Sequence, residues 1–208
     1  MLKVHHLNNS RSQRLLWLLE ELGAPYEIIP YQRDAVTNLA PPELLQVHPL
    51  GKSPVITDGD LTIAESGAAV EYIVAKYGNG ALQPDPHSHA HWRYVEWLNY
   101  AEGSAMLPLM LGLYVMRLGD AGAPLAERID SETNTHLSYI AGALGDQPFL
   151  MGDALTGADI QVSFVVEVAR AFGRLAPFPN LASYVERMQA REAYRRAIDK
   201  GGPYNLAG

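Results

Sequence analysis

The stretch "HPLGKSPVITDG", His48 to Gly59, sets a lysine, a serine and a proline directly before a short apolar run and closes that run on Asp-Gly. Val55-Ile56-Thr57 and Leu61-Thr62-Ile63 flank Asp58-Gly59, the pattern of two antiparallel strands joined by a tight turn. Pro54 has no N–H to give to a ladder, so a strand beginning at Val55 leaves a backbone edge open in front of it. A cis Ser53-Pro54 bond would turn the Ser53 N–H and C=O outward, where an extended peptide could pair with both. Only about 5% of X-Pro bonds are cis, and these three residues alone favour an ordinary trans proline at a strand start.

Working outward, Lys3–Leu7 reads as a strand, and Asn8-Asn9-Ser10 supplies turn and cap residues. Arg11 to Leu22 continues as a helix, with Leu15, Leu18, Leu19 and Leu22 on one face and Gly23 placed to end it. Tyr26 to Tyr31 forms a second strand, so the chain opens as strand, helix, strand, a unit that makes a parallel pair. Pro42-Glu43-Leu44-Leu45 reads as a short helix started by proline. After the hairpin, Glu65-Ser66 opens a helix whose Val70, Ile73, Val74 and Tyr77 share a face before Gly78. The order is β-α-β-(α)-β-β-α over residues 1–80, an α/β domain.

Gly78-Asn79-Gly80 through Pro84-Asp85-Pro86 is rich in breakers and reads as a linker. Beyond it the periodicity is helical: Trp92–Tyr100, Met106–Leu118, Ala126–Leu144, Ala158–Phe172 and Leu181–Ala190. Residues 87–208 are therefore expected to form an all-helical second domain. Thr156-Gly157-Ala158-Asp159 has the form of a capping box, with Asp in place of Glu, and marks Thr156 and Asp159 as folding residues.

With 208 residues, 48% of them apolar and 19% charged, the chain has the composition of a soluble globular protein. The N-terminal "MLKVHHLNNSRSQR" lacks the apolar block of a secretory signal, which fits a cytoplasmic address. A net charge of −7 argues against a nucleic-acid partner, and no apolar run nears the roughly 20 residues of a membrane span. The absence of cysteine excludes disulfides, a protein thiolate and Cys-ligated zinc. Any sulfur chemistry must bring its sulfur with a ligand. His87, His89 and His91 alternate without the carboxylates that would complete a metal site, so no metal is expected.

The segments "LNNSRSQRLLWLLEELGAPYEI", "VHPLGKSPVITDGDLTIAESGAAVEYI" and "LTGADIQ", in this order and spacing, carry a likeness over nearly the whole chain. It resembles the cytosolic glutathione transferases, with a thioredoxin-like domain at 1–80 and a helical domain at 87–208. The resemblance implies glutathione as co-substrate with no other cofactor, and a homodimer. It implies that Pro54 is cis and that Ser53 pairs through its backbone with the cysteinyl part of glutathione. Ser66 and the helix amides would take the γ-glutamyl carboxylate, Glu65 its ammonium, and Lys52 the glycine carboxylate. A helix N-terminus beside an acidic residue suits such a zwitterion, although plain capping would explain Glu65-Ser66 equally. His48 stands where relatives often have Asn before Pro, and Thr37-Asn38-Leu39-Ala40 does not match the further polar contact that family members draw from this loop.

Glutathione's thiol is mostly protonated at neutral pH, so its thiolate needs stabilising, and each pKa unit of lowering corresponds to about 1.4 kcal/mol. Ser10, between the first strand and the first helix, matches the serine of theta-like transferases. The first tyrosine is Tyr26, beyond that helix, so the N-terminal tyrosine of other classes is missing. Asn9, Ser12 and backbone amides are rivals for the role, and a helix N-cap would equally explain Ser10. Arg11 reads as an added positive charge or a surface residue. An electrophilic, apolar second substrate would lie against the helical domain, where Trp97, Tyr100, Met106 and Tyr114 are candidates, though such a stripe is more often core. Glutathione-dependent peroxide reduction is a variant within the same site. A non-catalytic binding or scaffold protein on the same fold is the rival reading.

Overall fold

In the computed structural model, which describes residues 1–202 and 204–206, the two ends of the opening unit become strands β1 (Leu2–Leu7) and β2 (Tyr26–Tyr31) around helix α1 (Gln13–Leu22). β1 and β2 run parallel in register from Leu2 opposite Tyr26 to Leu7 opposite Tyr31. The hairpin follows as β3 (Val55–Asp58) and β4 (Leu61–Ala64), and the sheet order is β2-β1-β3-β4 with β3 antiparallel to both neighbours. β1 is thus an inner strand. Its Leu2, Val4, His5, His6 and Leu7 are all buried, as a strand covered on both faces requires. Because Asp58 pairs with Leu61, the turn residues are Gly59 and Asp60, one position later than the sequence suggests, with Gly59 taking the φ of 63°.

Helix α1 is buried beyond its leucine stripe. Arg14, Leu16 and Trp17 are covered as well, since the helix lies between the sheet-side α3 (Ser66–Tyr77) and two helices of the second half. The left-handed Gly23 at φ 60° ends it, its N–H meeting the Leu19 and Glu20 carbonyls. The short helix α2 spans Leu44–Val47 rather than Pro42–Leu45, because the turns at Pro41 and Pro42 precede it and only Leu44 reaches the core.

The second half is helical: α4 (His89–Tyr100), α5 (Met106–Met116), α6 (Ala123–Leu144), α7 (Gly157–Ala171), α8 (Pro179–Gln189) and α9 (Glu192–Gly201). Between α4 and α5 the chain widens into a π-helical turn, Ala101–Ala105, where the Met106 N–H reaches the Ala101 carbonyl. Pro108, lacking an N–H, sits one turn on, which accounts for a ladder broken here. Helix α7 is the central post. Its Asp159 is completely buried and accepts from the backbone N–H groups of Leu150 (2.8 Å) and Thr156 (2.9 Å) and from the hydroxyls of Thr156 and Tyr184 (3.1 Å each). The capping box at Thr156 and Asp159 is present.

Helix α9 lies outside the sequence-based expectation. It packs along α1 with only Ala193, Tyr194 and Ala197 buried, and ionic pairs hold the rest: Arg191 on Glu21 (2.5 Å), Arg196 on Glu20 (3.0 Å) and Lys200 on Glu20. Its last residue, Gly201, is close enough to Gln13, Leu16 and His6 that a Cβ would clash. No helix among the described residues is long and apolar enough to cross a membrane.

Candidate functional site

The strand register assembles the site. His5 of β1 faces Val55, and Val55 faces Ala64, so the C-terminal ends of β1 and β4 and the start of β3 fall at one end of the sheet. The loop carrying Ser10, the Ser53-Pro54 pair and the Glu65-Ser66 start of α3 are the continuations of those three strand ends. Residues far apart in the chain are brought to one rim by two short pairings.

At the first strand end the chain turns through Asn8 and Asn9, the latter at φ 49°, into Ser10. Ser10 does not cap α1, which begins at Gln13. Its oxygen accepts the Ser12 N–H at 3.2 Å, and its hydroxyl lies 2.8 Å from the Ser12 hydroxyl. Ser12, with no accessible surface, also contacts His6 Nδ1 at 2.8 Å and accepts the Leu7 N–H at 3.2 Å. Asn9 is turned the other way, its side-chain oxygen taking the Asn205 N–H at 2.7 Å. Asn8 holds Arg33, whose guanidinium donates to the carbonyls of Asn8, Asn9 and Asn38. Arg33 thus ties the loop around residue 38 to the Ser10 turn, a contact the sequence did not disclose.

At the second strand end Ser53-Pro54 is cis. The Ser53 hydroxyl donates to the His5 carbonyl at 2.9 Å, and among the described residues no hydrogen bond takes up the Ser53 N–H or C=O. Lys52 is exposed beside it and Pro54 is buried. At the third, Glu65 stands exposed at φ 70°, a conformation rare for a residue with a side chain. Ser66 is buried, and its hydroxyl accepts from Gln161 Nε2 of α7 at 3.0 Å. Gly67 lets the Leu98 carbonyl approach to 3.0 Å of where its Cβ would stand.

The second half reaches this rim through Glu102 of the π-helical turn, which binds Arg11 (2.8 Å) and Arg14 (2.7 Å). Arg11 is therefore a bridge between halves, with Arg14 stacked over the Phe164 ring at 4.4 Å and donating to the Gln161 carbonyl. Burial opposes the Glu102 charge, but Arg14 and Arg11 outweigh it and hold the carboxyl below its usual pKa. Of the expected second-substrate residues, Trp97 and Met106 are core, Tyr100 is bonded to His136 Nδ1 at 2.7 Å, and Tyr114 is exposed. His89 and His91 open α4, where the Ser88 hydroxyl caps the His91 N–H, and His87 lies in the turn before it, its N–H on Asp85. A cavity of about 640 Å³ between α5 and α6, lined by Leu109, Leu113, Met116 and Ile129, shares no residue with this rim.

Sequence reasoning missed His6, Arg14, Arg33, Glu102 and Gln161. The only local signal was charge or amide placed where an apolar helix or strand runs: Arg14 in the leucine helix, Gln161 in α7.

Comparison with known proteins identifies the family. Residues 1–75 match the glutathione S-transferase N-terminal domain and residues 104–192 the C-terminal domain. The chain is 34% identical to glutathione S-transferase 3 of Schizosaccharomyces pombe, over 96% of this chain and 88% of the relative. A crystal structure of a glutathione S-transferase from Actinobacillus pleuropneumoniae superposes with a TM-score of 0.87 at 32% identity, covering 99% of this chain and 94% of that one. A glutathione transferase family member from Pseudomonas fluorescens Pf-5, solved with two glutathione bound, gives 0.80 at 26% identity, covering 95% and 92%. Sheet, helical half and sequence together place the chain, as an enzyme, in the glutathione S-transferase family.

Proposed function

We propose that the protein conjugates the thiolate of glutathione to electrophilic, apolar substrates, with glutathione-dependent peroxide reduction as a second activity of the same site. The observation that carries this reading is the register that sets Ser10, Ser53 and Ser66 at one end of the sheet. Glutathione would lie along the open backbone edge of Ser53. Its γ-glutamyl carboxylate would meet Ser66 and the free N–H groups of α3, where the positive end of the helix favours an anion, and its ammonium would meet Glu65. Lys52 would take the glycine carboxylate, and Ser10 would donate to the sulfur.

In this reading residues 1–80 are the glutathione-binding domain and 87–208 bear the wall for the second substrate, with exposed Tyr114 the best placed of the candidates. The enzyme acts in the cytoplasm as a homodimer. The test is retention on immobilised glutathione followed by conjugation of chlorodinitrobenzene and reduction of an organic hydroperoxide. Binding with turnover supports the proposal. Binding without either activity leaves a glutathione-holding scaffold, and absence of binding removes the site assignment.

A further inference from the structure

The hydroxyl of Ser10 is the end of a hydrogen-bonded chain whose direction is set from its far end. The His6 ring, 4% exposed, places Nε2 at 3.0 Å from the Gly201 carbonyl. A carbonyl only accepts, so Nε2 carries the proton. Burial, set against the pull of that carbonyl, holds the ring below its usual pKa, and at neutral pH it is uncharged with a lone pair on Nδ1. That lone pair takes the proton of Ser12 at 2.8 Å. The Leu7 carbonyl, at 3.3 Å, is the more distant alternative acceptor for the same proton. With its own proton committed, Ser12 can only accept from Ser10, 2.8 Å away. The Ser10 proton therefore points inward, away from the place a sulfur would occupy.

The surroundings of the ring supply no competing charge among the described residues. β2 sets Pro30 opposite His6, α1 sends Gln13 and Leu16 toward the same glycine, and α9 contributes the Gly201 carbonyl. Of the ionic groups of those helices, Glu20 is paired with Arg196 and Lys200, Glu21 with Arg191, and Arg14 with Glu102. The neighbouring His5 is turned to Tyr31 and Thr57.

We infer that His6 is a positioning residue that receives the thiol proton of glutathione through Ser10 and Ser12, and in doing so turns the Ser10 hydroxyl outward onto the sulfur. The inference rests on the glutathione reading above. In the step, the S–H bond breaks and its proton goes to Ser10 Oγ. The Ser10 proton passes to Ser12 Oγ and the Ser12 proton to His6 Nδ1. Each hydroxyl loses one proton and gains one, the electron pair stays on sulfur, and the positive charge rests on an imidazolium that donates to Ser12 and to Gly201. The serine that faced inward now donates to the thiolate. One proton transfer both makes the anion and builds its partner.

The experiment is nitrogen NMR of the histidine rings in the intact enzyme, with the His6 signals assigned through their loss in His6→Gln. The expected result is a neutral Nε2–H ring in free enzyme, an imidazolium when glutathione is bound, and an unchanged neutral ring with S-methylglutathione, which has no thiol proton to give. His6→Gln and Ser12→Ala should each raise the apparent pKa of bound glutathione, read from thiolate absorption, by about one unit, a tenfold loss of thiolate at neutral pH. Their affinity for S-methylglutathione should match that of the wild type. A His6 ring that stays neutral with glutathione, or shifts alike with both ligands, overturns the relay while leaving glutathione binding intact. Wild-type enzyme that binds neither ligand overturns the functional reading itself. Through-bond correlation from the His6 backbone also assigns the ring, so the wild-type spectra decide the question even if a variant fails to fold.

Discussion

Gln161 of α7 donates its amide to the Ser66 hydroxyl at 3.0 Å, so the residue that opens α3 is held from the other half of the molecule. Gln161→Leu keeps the volume and removes the donor, leaving Ser66 free to rotate. Loss of one such bond costs about 1 kcal/mol, so the KM for glutathione should rise roughly fivefold with kcat little changed. Steady-state kinetics with varied glutathione and calorimetric binding would read this split.

Ser10→Ala removes the hydroxyl proposed to donate to the sulfur. The apparent pKa of bound glutathione should rise by about one unit, and kcat/KM at neutral pH should fall about tenfold and recover in alkali as the thiol ionises unaided. A pH–rate profile that does not move would transfer the role to backbone amides of the turn.

Glu102→Gln leaves the Arg14 guanidinium, whose side chain is 2% exposed, without its counter-charge. Breaking a pair with one member this deeply buried should cost about 2 kcal/mol, discounted because Glu102 is partly open to solvent, and lower Tm by about 4–8 °C. The folded pKa of Glu102 lies below its unfolded value, so its stabilisation is present above the ordinary carboxylate range and is lost as pH falls through the folded value. Thermal melts of wild type and variant should therefore converge on acidification.

Asp159→Ala strips the α7 start of an acceptor serving Leu150, Thr156 and Tyr184. Several buried donors lose their partner together, and urea unfolding should show a loss of about 3 kcal/mol or more. Thr156→Ala, which removes only the capping hydroxyl, should cost about 1 kcal/mol and leave glutathione affinity unchanged.

The two strands around α1, the hairpin, α3 and the main helices beyond residue 87 were readable because their apolar spacing is local and each has its own stop signal, such as Gly23. Helix α9 was not, since its buried face is two alanines and a tyrosine and its docking depends on charges facing Glu20 and Glu21. The π-helical turn was equally hidden: it is a change in backbone bonding around a proline, and "AEGSA" has no distinguishing pattern. Within the proposed site, Ser10, Ser53, Glu65 and Ser66 could be picked out through the family resemblance of the segments around them, since by themselves they read as caps or a strand start. Gln161 and Glu102 could not, because what they do exists only once distant segments of chain have met at Ser66 and Arg14.

The carbonyl that sets the proton on His6 belongs to a residue 195 positions later in the chain. A ribosome exposes β1 early and reaches Gly201 only after β1 through α8 have been made. Until then the imidazole is free to exchange tautomers, and the serines beyond it have no fixed direction. The orientation of the Ser10 turn is thus settled only once the helical half has been made.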